Sequence, residues 1–91
     1  MLSSHSVIFQ SLLRLSSSLR AAGQPREAIV LLEEKLEGME SGCLAMAYRE
    51  LIYAALESGD RGKAAVLARK LNEIDPANPL AASFLGESRP A

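Results

Sequence analysis

The side chains able to do chemistry are few, and their spacing argues against catalysis. His5 is the one histidine and Cys43 the one cysteine in 91 residues, so this chain can assemble neither a cysteine-built zinc site nor a disulfide framework. His5 stands close to residue 1, where a solvated imidazole is expected rather than a ligand or general base. Cys43 opens a helical pattern whose dipole could lower a thiol pKa, yet a small apolar packing role is the simpler reading. Glu33-Glu34 and Arg69-Lys70 are like-charged neighbours of the kind found on solvated faces, not acid–base dyads. Gly-rich phosphate loops, HExxH and nucleophile elbows are absent. The expectation is a non-catalytic chain with no cofactor and no metal.

Charge and hydropathy narrow the partners. Ten Lys and Arg against eleven Asp and Glu leave a net charge of −1, too little field to hold a polyanion, so no nucleic acid is expected. No apolar run approaches the roughly 20 residues of a spanning helix, so no membrane span is expected either. Cysteine scarcity suits a reducing compartment, or simply indifference to redox, and the expected location is cytoplasmic. The apolar fraction is 48% with only 4% aromatic residues. Leu and Ala dominate it and Thr is missing, which favours helix over strand throughout. One all-α domain spanning 1–91 follows from this length and composition.

Breakers divide the chain into about five helices. Gly23 with Pro25, the run Gly38 to Gly42, Gly59 with Gly62, and Asp75-Pro76-Ala77-Asn78-Pro79 are the punctuation. The segment Ser6 to Ala22 carries Phe9, Leu12, Leu13, Leu15, Leu19 and Ala22 at helical spacing, an apolar stripe that should face the core. The second starts at Pro25, near the first helical position, and sets Ala28, Ile29, Leu31, Leu32 and Leu36 on one face, with Glu33, Glu34 and Glu37 in solvent. The third, Cys43 to Ser58, repeats the pattern with Leu44, Ala47, Tyr48, Leu51, Ile52, Ala55 and Leu56. Asp60 should cap the fourth, which carries Ala64, Ala65, Leu67, Ala68, Leu71 and Ile74. Asn78 should cap a shorter fifth helix over about 79–87, with Leu80, Ala81, Phe84 and Leu85 as its apolar set.

Shifting the chain by 36 residues pairs Leu15 with Leu51, Gly23 with Gly59, Ala28 with Ala64 and Leu31 with Leu67. Turn glycines and small helix positions are what two copies of one helical hairpin share. The run Tyr48-Arg49-Glu50-Leu51, Ala54, Gly59-Asp60, Ala64, Ala68, Leu71 and Ile74-Asp75-Pro76 resembles a tetratricopeptide repeat. Residues 8–42 resemble a more divergent copy, and Leu85-Gly86 matches the start of a third. Ser16 and Ile52 stand where the family prefers a small, glycine-like residue. The resemblance implies a right-handed α-solenoid of stacked hairpins: hairpin 1 at about 6–37, hairpin 2 at about 43–75 and a capping helix at about 79–87. It also implies a concave groove lined by the first helices, which binds a peptide or helix of a protein partner, as an adaptor or small chaperone does.

Positions on those first helices not needed for packing become the candidate contacts: Arg14, Ser17, Met46, Arg49, Glu50 and Tyr53, with Arg and Tyr the strongest at half-desolvated interfaces. The Lys-and-Asn clamp by which some family members hold a C-terminal carboxylate is replaced here by Leu13, Ser17, Arg49 and Tyr53. Two other roles compete: a structural module that self-associates through its terminal helices or completes a larger assembly, and, more remotely, pentatricopeptide-like RNA binding. Residues 1–26 carry three arginines and no acid, which fits a basic structural helix and also fits an organelle transit peptide. Net charge is +3 over 1–26, −4 over 27–42 and zero beyond.

Overall fold

A computed structural model describes residues 4–88, with the side chains of 4–6, Ser41 and 85–88 outside that description. His5, Leu85 and Gly86, singled out from the sequence, therefore have no described side-chain role. The fold is all-α, five helices in the order α1 (Ser4–Ala21), α2 (Pro25–Lys35), α3 (Ser41–Glu57), α4 (Arg61–Ile74) and α5 (Pro79–Ser88), with no strand among the described residues. Each helix packs on its neighbours in the chain, and α1 also lies against α3. No described helix is long and apolar enough to cross a membrane.

The 36-residue shift reappears as geometry at the turns. After α1, Gly23 takes φ +78; its amide donates to the Arg20 carbonyl at 3.0 Å and the Gln24 amide donates to the Leu19 carbonyl at 2.8 Å. After α3, Gly59 takes φ +81, with the Gly59 amide on the Leu56 carbonyl at 3.1 Å and the Asp60 amide on the Ala55 carbonyl at 2.9 Å. Both are Schellman endings, in which a left-handed residue lets two amides reach back to otherwise open carbonyls. Glycine is there because an L side chain at that φ is strained.

Caps at the next starts differ. Asp60 Oδ1 accepts from the Lys63 amide at 3.0 Å and Asn78 Oδ1 from the Leu80 amide at 3.0 Å, as the sequence predicts. Gln24 makes no side-chain cap, and α2 relies on Pro25 and on Glu27 in its first turn. The third helix begins at Ser41 rather than Cys43, because Glu40 adopts the extended conformation of a cap and its carbonyl accepts the Leu44 amide at 2.8 Å.

The core is built from close helix approaches. Ala28, Ala47, Ala54, Ala55, Ala64, Ala68 and Ala81 are all fully buried, alongside Ile29, Leu32, Leu51, Ile52, Leu67 and Leu71. Leu12, Leu19, Leu36, Tyr48, Leu80 and Phe84 pack around them, half-buried. Alanine at so many contacts explains the low aromatic content, since bulky rings would hold the helices apart.

Two expectations for the first helix need correction. Leu15, expected in the core stripe, is 51% exposed, and Ala22 is exposed as well. Their 36-residue equivalents, Leu51 and Ser58, are buried and half-buried. The difference lies in the neighbours: among the described residues α3 packs against α1, α2 and α4, whereas α1 packs against α2 and α3. Leu56, placed on the apolar face of the third segment, is also exposed. Glu33 does stand in solvent, but it ion-pairs with Lys63 across α2 and α4 at 2.7 Å.

Candidate functional site

α3 presents one stripe that the core does not use. Met46, Glu50, Tyr53 and Glu57 follow at intervals of three and four residues, with Arg49 beside them. The opposite side of the helix carries Ala47, Leu51, Ala54 and Ala55, all fully buried, and this fixes which way the stripe points. The neighbouring first-hairpin helix, α1, brings Arg20 against it.

Arg20 was absent from the sequence-derived set and turns out to organise the site. Its Nη1 donates to Glu50 Oε2 at 2.7 Å. Its Nε and Nη2 donate to Glu57 Oε1 and Oε2 at 2.7 and 3.2 Å, the two-pronged geometry that suits a guanidinium and a carboxylate. The guanidinium carbon also lies 5.2 Å from the centre of the Tyr53 ring. Hydrogen bonding to Glu57, aided by Glu50 and opposed by burial, holds the Arg20 pKa above its ordinary value. The Glu57 carboxyl is correspondingly held below its usual range, chiefly by its hydrogen bond from Arg20.

Arg49 is the second cation on this ring, 5.7 Å from the Tyr53 centroid. It is exposed and has no carboxylate within ion-pair distance among the described residues. One guanidinium here is thus neutralised by two acids and another keeps its donors open to solvent, both against a half-buried aromatic face.

The six predicted contacts separate accordingly. Arg49, Glu50 and Tyr53 are brought together. Glu50 is 19% exposed at its side chain and is engaged by Arg20. Ser17 and Met46 are exposed and carry no described contact to the cluster, and the same holds for Arg14. Arg20, one of the three arginines of the acid-free first segment, pairs across the hairpins with α3. The missed signal lay in α3: Glu50 and Glu57 are seven residues apart with Tyr53 between them, a two-turn acid-aromatic-acid stripe that calls for a facing cation.

Beside this cluster, Arg20, Glu57 and Ser58 face Gly23 to Glu27 across an open depression of about 540 Å³. The described residues contain no grouping of three or more His, Cys, Asp or Glu able to hold a metal ion. Comparison with protein-family models, with curated proteins and with solved structures returned no match.

Proposed function

We propose that this protein is a non-catalytic interaction module that binds a peptide or helix of a protein partner along the shared α1–α3 face. The observation that carries the reading is Arg49. Its guanidinium stands in solvent over the Tyr53 ring without an acidic partner among the described residues, while the adjacent Arg20 is locked by Glu50 and Glu57. An unpaired guanidinium on an aromatic ring can hydrogen-bond a partner's carboxylate or backbone carbonyl while the ring takes apolar contact, the combination that supplies binding energy at interfaces. The Arg20 bridge keeps the ring and the helix behind it from shifting, which lowers the ordering cost of binding. Met46 and Ser17, exposed on the same two helices, extend the surface without adding charge.

The test is capture from the native source with the wild-type chain, Arg49→Glu and Tyr53→Ala in parallel, followed by direct titration of whatever protein the wild type retains. Both variants should keep wild-type helicity by circular dichroism and lose about tenfold or more in affinity. Retention of the same partner at unchanged affinity by both would remove this face from the function.

A further inference from the structure

The exposed side of α1 is a second surface, distinct from the one that carries Arg49. Val7 is 51%, Ile8 66% and Leu15 51% exposed, and with Ser11, Ser18 and Ala22 they form an uncharged side of the helix by their spacing. Under the 36-residue shift these six positions become Cys43, Leu44, Ala47, Leu51, Ala54 and Ser58 of α3, every one of them buried or half-buried. In the second hairpin this side of the repeat is covered; in the first it is open. A groove of about 720 Å³ runs along it, lined by Ile8, Phe9, Leu12 and Leu15 and, from the other wall, by Met39 and Cys43. Its lip is Lys35, Glu37 and Glu40, a net charge of −1, and neither glutamate has an ion-pair partner among the described residues.

We propose that the occupant of this groove is a second copy of the same chain, docked α1 against α1 about a two-fold axis near Ser11. Charge selects that occupant. The groove needs an apolar helix without carboxylates that brings a cation to an acidic lip, and α1 is such a helix: no Asp or Glu lies in residues 1–26, and Arg14 follows the apolar positions. Arg14 is exposed and, like the lip glutamates, has no described ion-pair partner. Antiparallel pairing about Ser11 sets Ile8 of each copy beside Leu15 of the other. It also carries each Arg14 towards the opposite Glu37 and Glu40, because the short link at 22–24 folds α2 back along α1 and so returns the α2–α3 loop, which lines the groove, towards the Ile8 end of α1. Such an interface is self-complementary and closes on itself. At the other end of the described chain, α5 covers α4 through Leu80, Ala81 and Phe84. Nothing in this pairing depends on partner binding at Arg49.

The test is sedimentation equilibrium of the full 91-residue chain from low to several hundred micromolar, with circular dichroism as the folding control. A monomer–dimer equilibrium is expected. Ile8→Asn with Leu15→Asn should abolish it at unchanged helicity, because both side chains are exposed in the single chain. Arg14→Glu alone, and Glu37→Arg with Glu40→Arg alone, should each weaken dimerisation on the order of tenfold or more, since two attractions become two repulsions. Mixing those two variants should restore a heterodimer at wild-type strength. A chain that stays monomeric throughout the range overturns the proposal and leaves the face to a different protein. A dimer indifferent to these substitutions, or variants that do not rescue each other on mixing, overturns it equally.

Discussion

Removing Arg20 tests the organisation of the site most directly. Three contacts end together in Arg20→Ala. The bond to Glu50 joins two side chains that are each 19% exposed, so about 1–2 kcal/mol is reasonable for a charge-assisted hydrogen bond whose acceptor is left half-buried and unpaired. The two-pronged contact to Glu57 contributes less than its short distances suggest, because Glu57 is 45% exposed and solvent screening brings the pair down to about 0.5 kcal/mol. Stacking on Tyr53 adds about 0.5 kcal/mol. The sum is about 2–3 kcal/mol, set against about 5–13 kcal/mol for a chain of this length. With a urea dependence of about 1 kcal/mol per molar, the unfolding midpoint should fall by about 2–3 M. Arg20→Lys keeps the charge but not the fork, and should recover about half of the loss. A double-mutant cycle of Arg20→Ala with Glu50→Gln should return a coupling of at least about 1 kcal/mol. If Arg20→Ala unfolds within about 0.5 kcal/mol of wild type, the bridge does not tie the hairpins and the site is not preorganised by it.

Other consequences are independent of that bridge or probe one arm of it. Ser16 is fully buried on α1 with its hydroxyl unpartnered, so Ser16→Ala should hold or raise stability, by up to about 1 kcal/mol in urea unfolding. Gly59→Ala meets no atom within 4 Å of the added methyl, yet the φ of +81 should make it cost about 1–2 kcal/mol through backbone strain alone. Asp60→Ala removes the cap on the Lys63 amide and should cost about 1 kcal/mol. Glu57 binds its proton more weakly when folded than when unfolded. Its contribution is therefore complete above the ordinary glutamate pKa of about 4.3 and fades as pH drops through the lower folded value. Acid unfolding of Glu57→Gln should lack that part of the slope.

Helix starts and ends were readable because they are local. Gly23, Gly59, Asp60 and Asn78 act within a turn of themselves, and the Schellman and capping bonds found at these positions use residues no more than five apart. Burial was readable for most of α3 and α4, which have helices on both sides, with Leu56 the exception. It failed at Leu15, whose residue type and spacing match Leu51, because burial there depends on what precedes the helix in space. The Arg20 contacts bridge 30 and 37 residues. They depend on how far α1 slides and rotates against α3, which no local pattern encodes.

The internal repeat nonetheless separates what sets the fold from what differs at the site. Where the two hairpins carry the same residue, at Gly23 and Gly59 or Ala28 and Ala64, the structure puts left-handed turn glycines in one case and fully buried alanines in the other. At every position of the Arg20 cluster the equivalent residue differs. Arg20 pairs with Leu56, Leu13 with Arg49, Arg14 with Glu50, Ser17 with Tyr53 and Ala21 with Glu57. Packing requirements are shared by both copies of a hairpin and push their residues towards identity. A requirement confined to one surface acts on each copy alone and lets them part. Divergence alone does not mark a site, since Ser16 pairs with Ile52 and Leu32 with Ala68 and all four are fully buried. The Arg20 cluster stands apart because its divergent residues are charged or aromatic and meet across α1 and α3, and that is the reason to seek partner binding on this face.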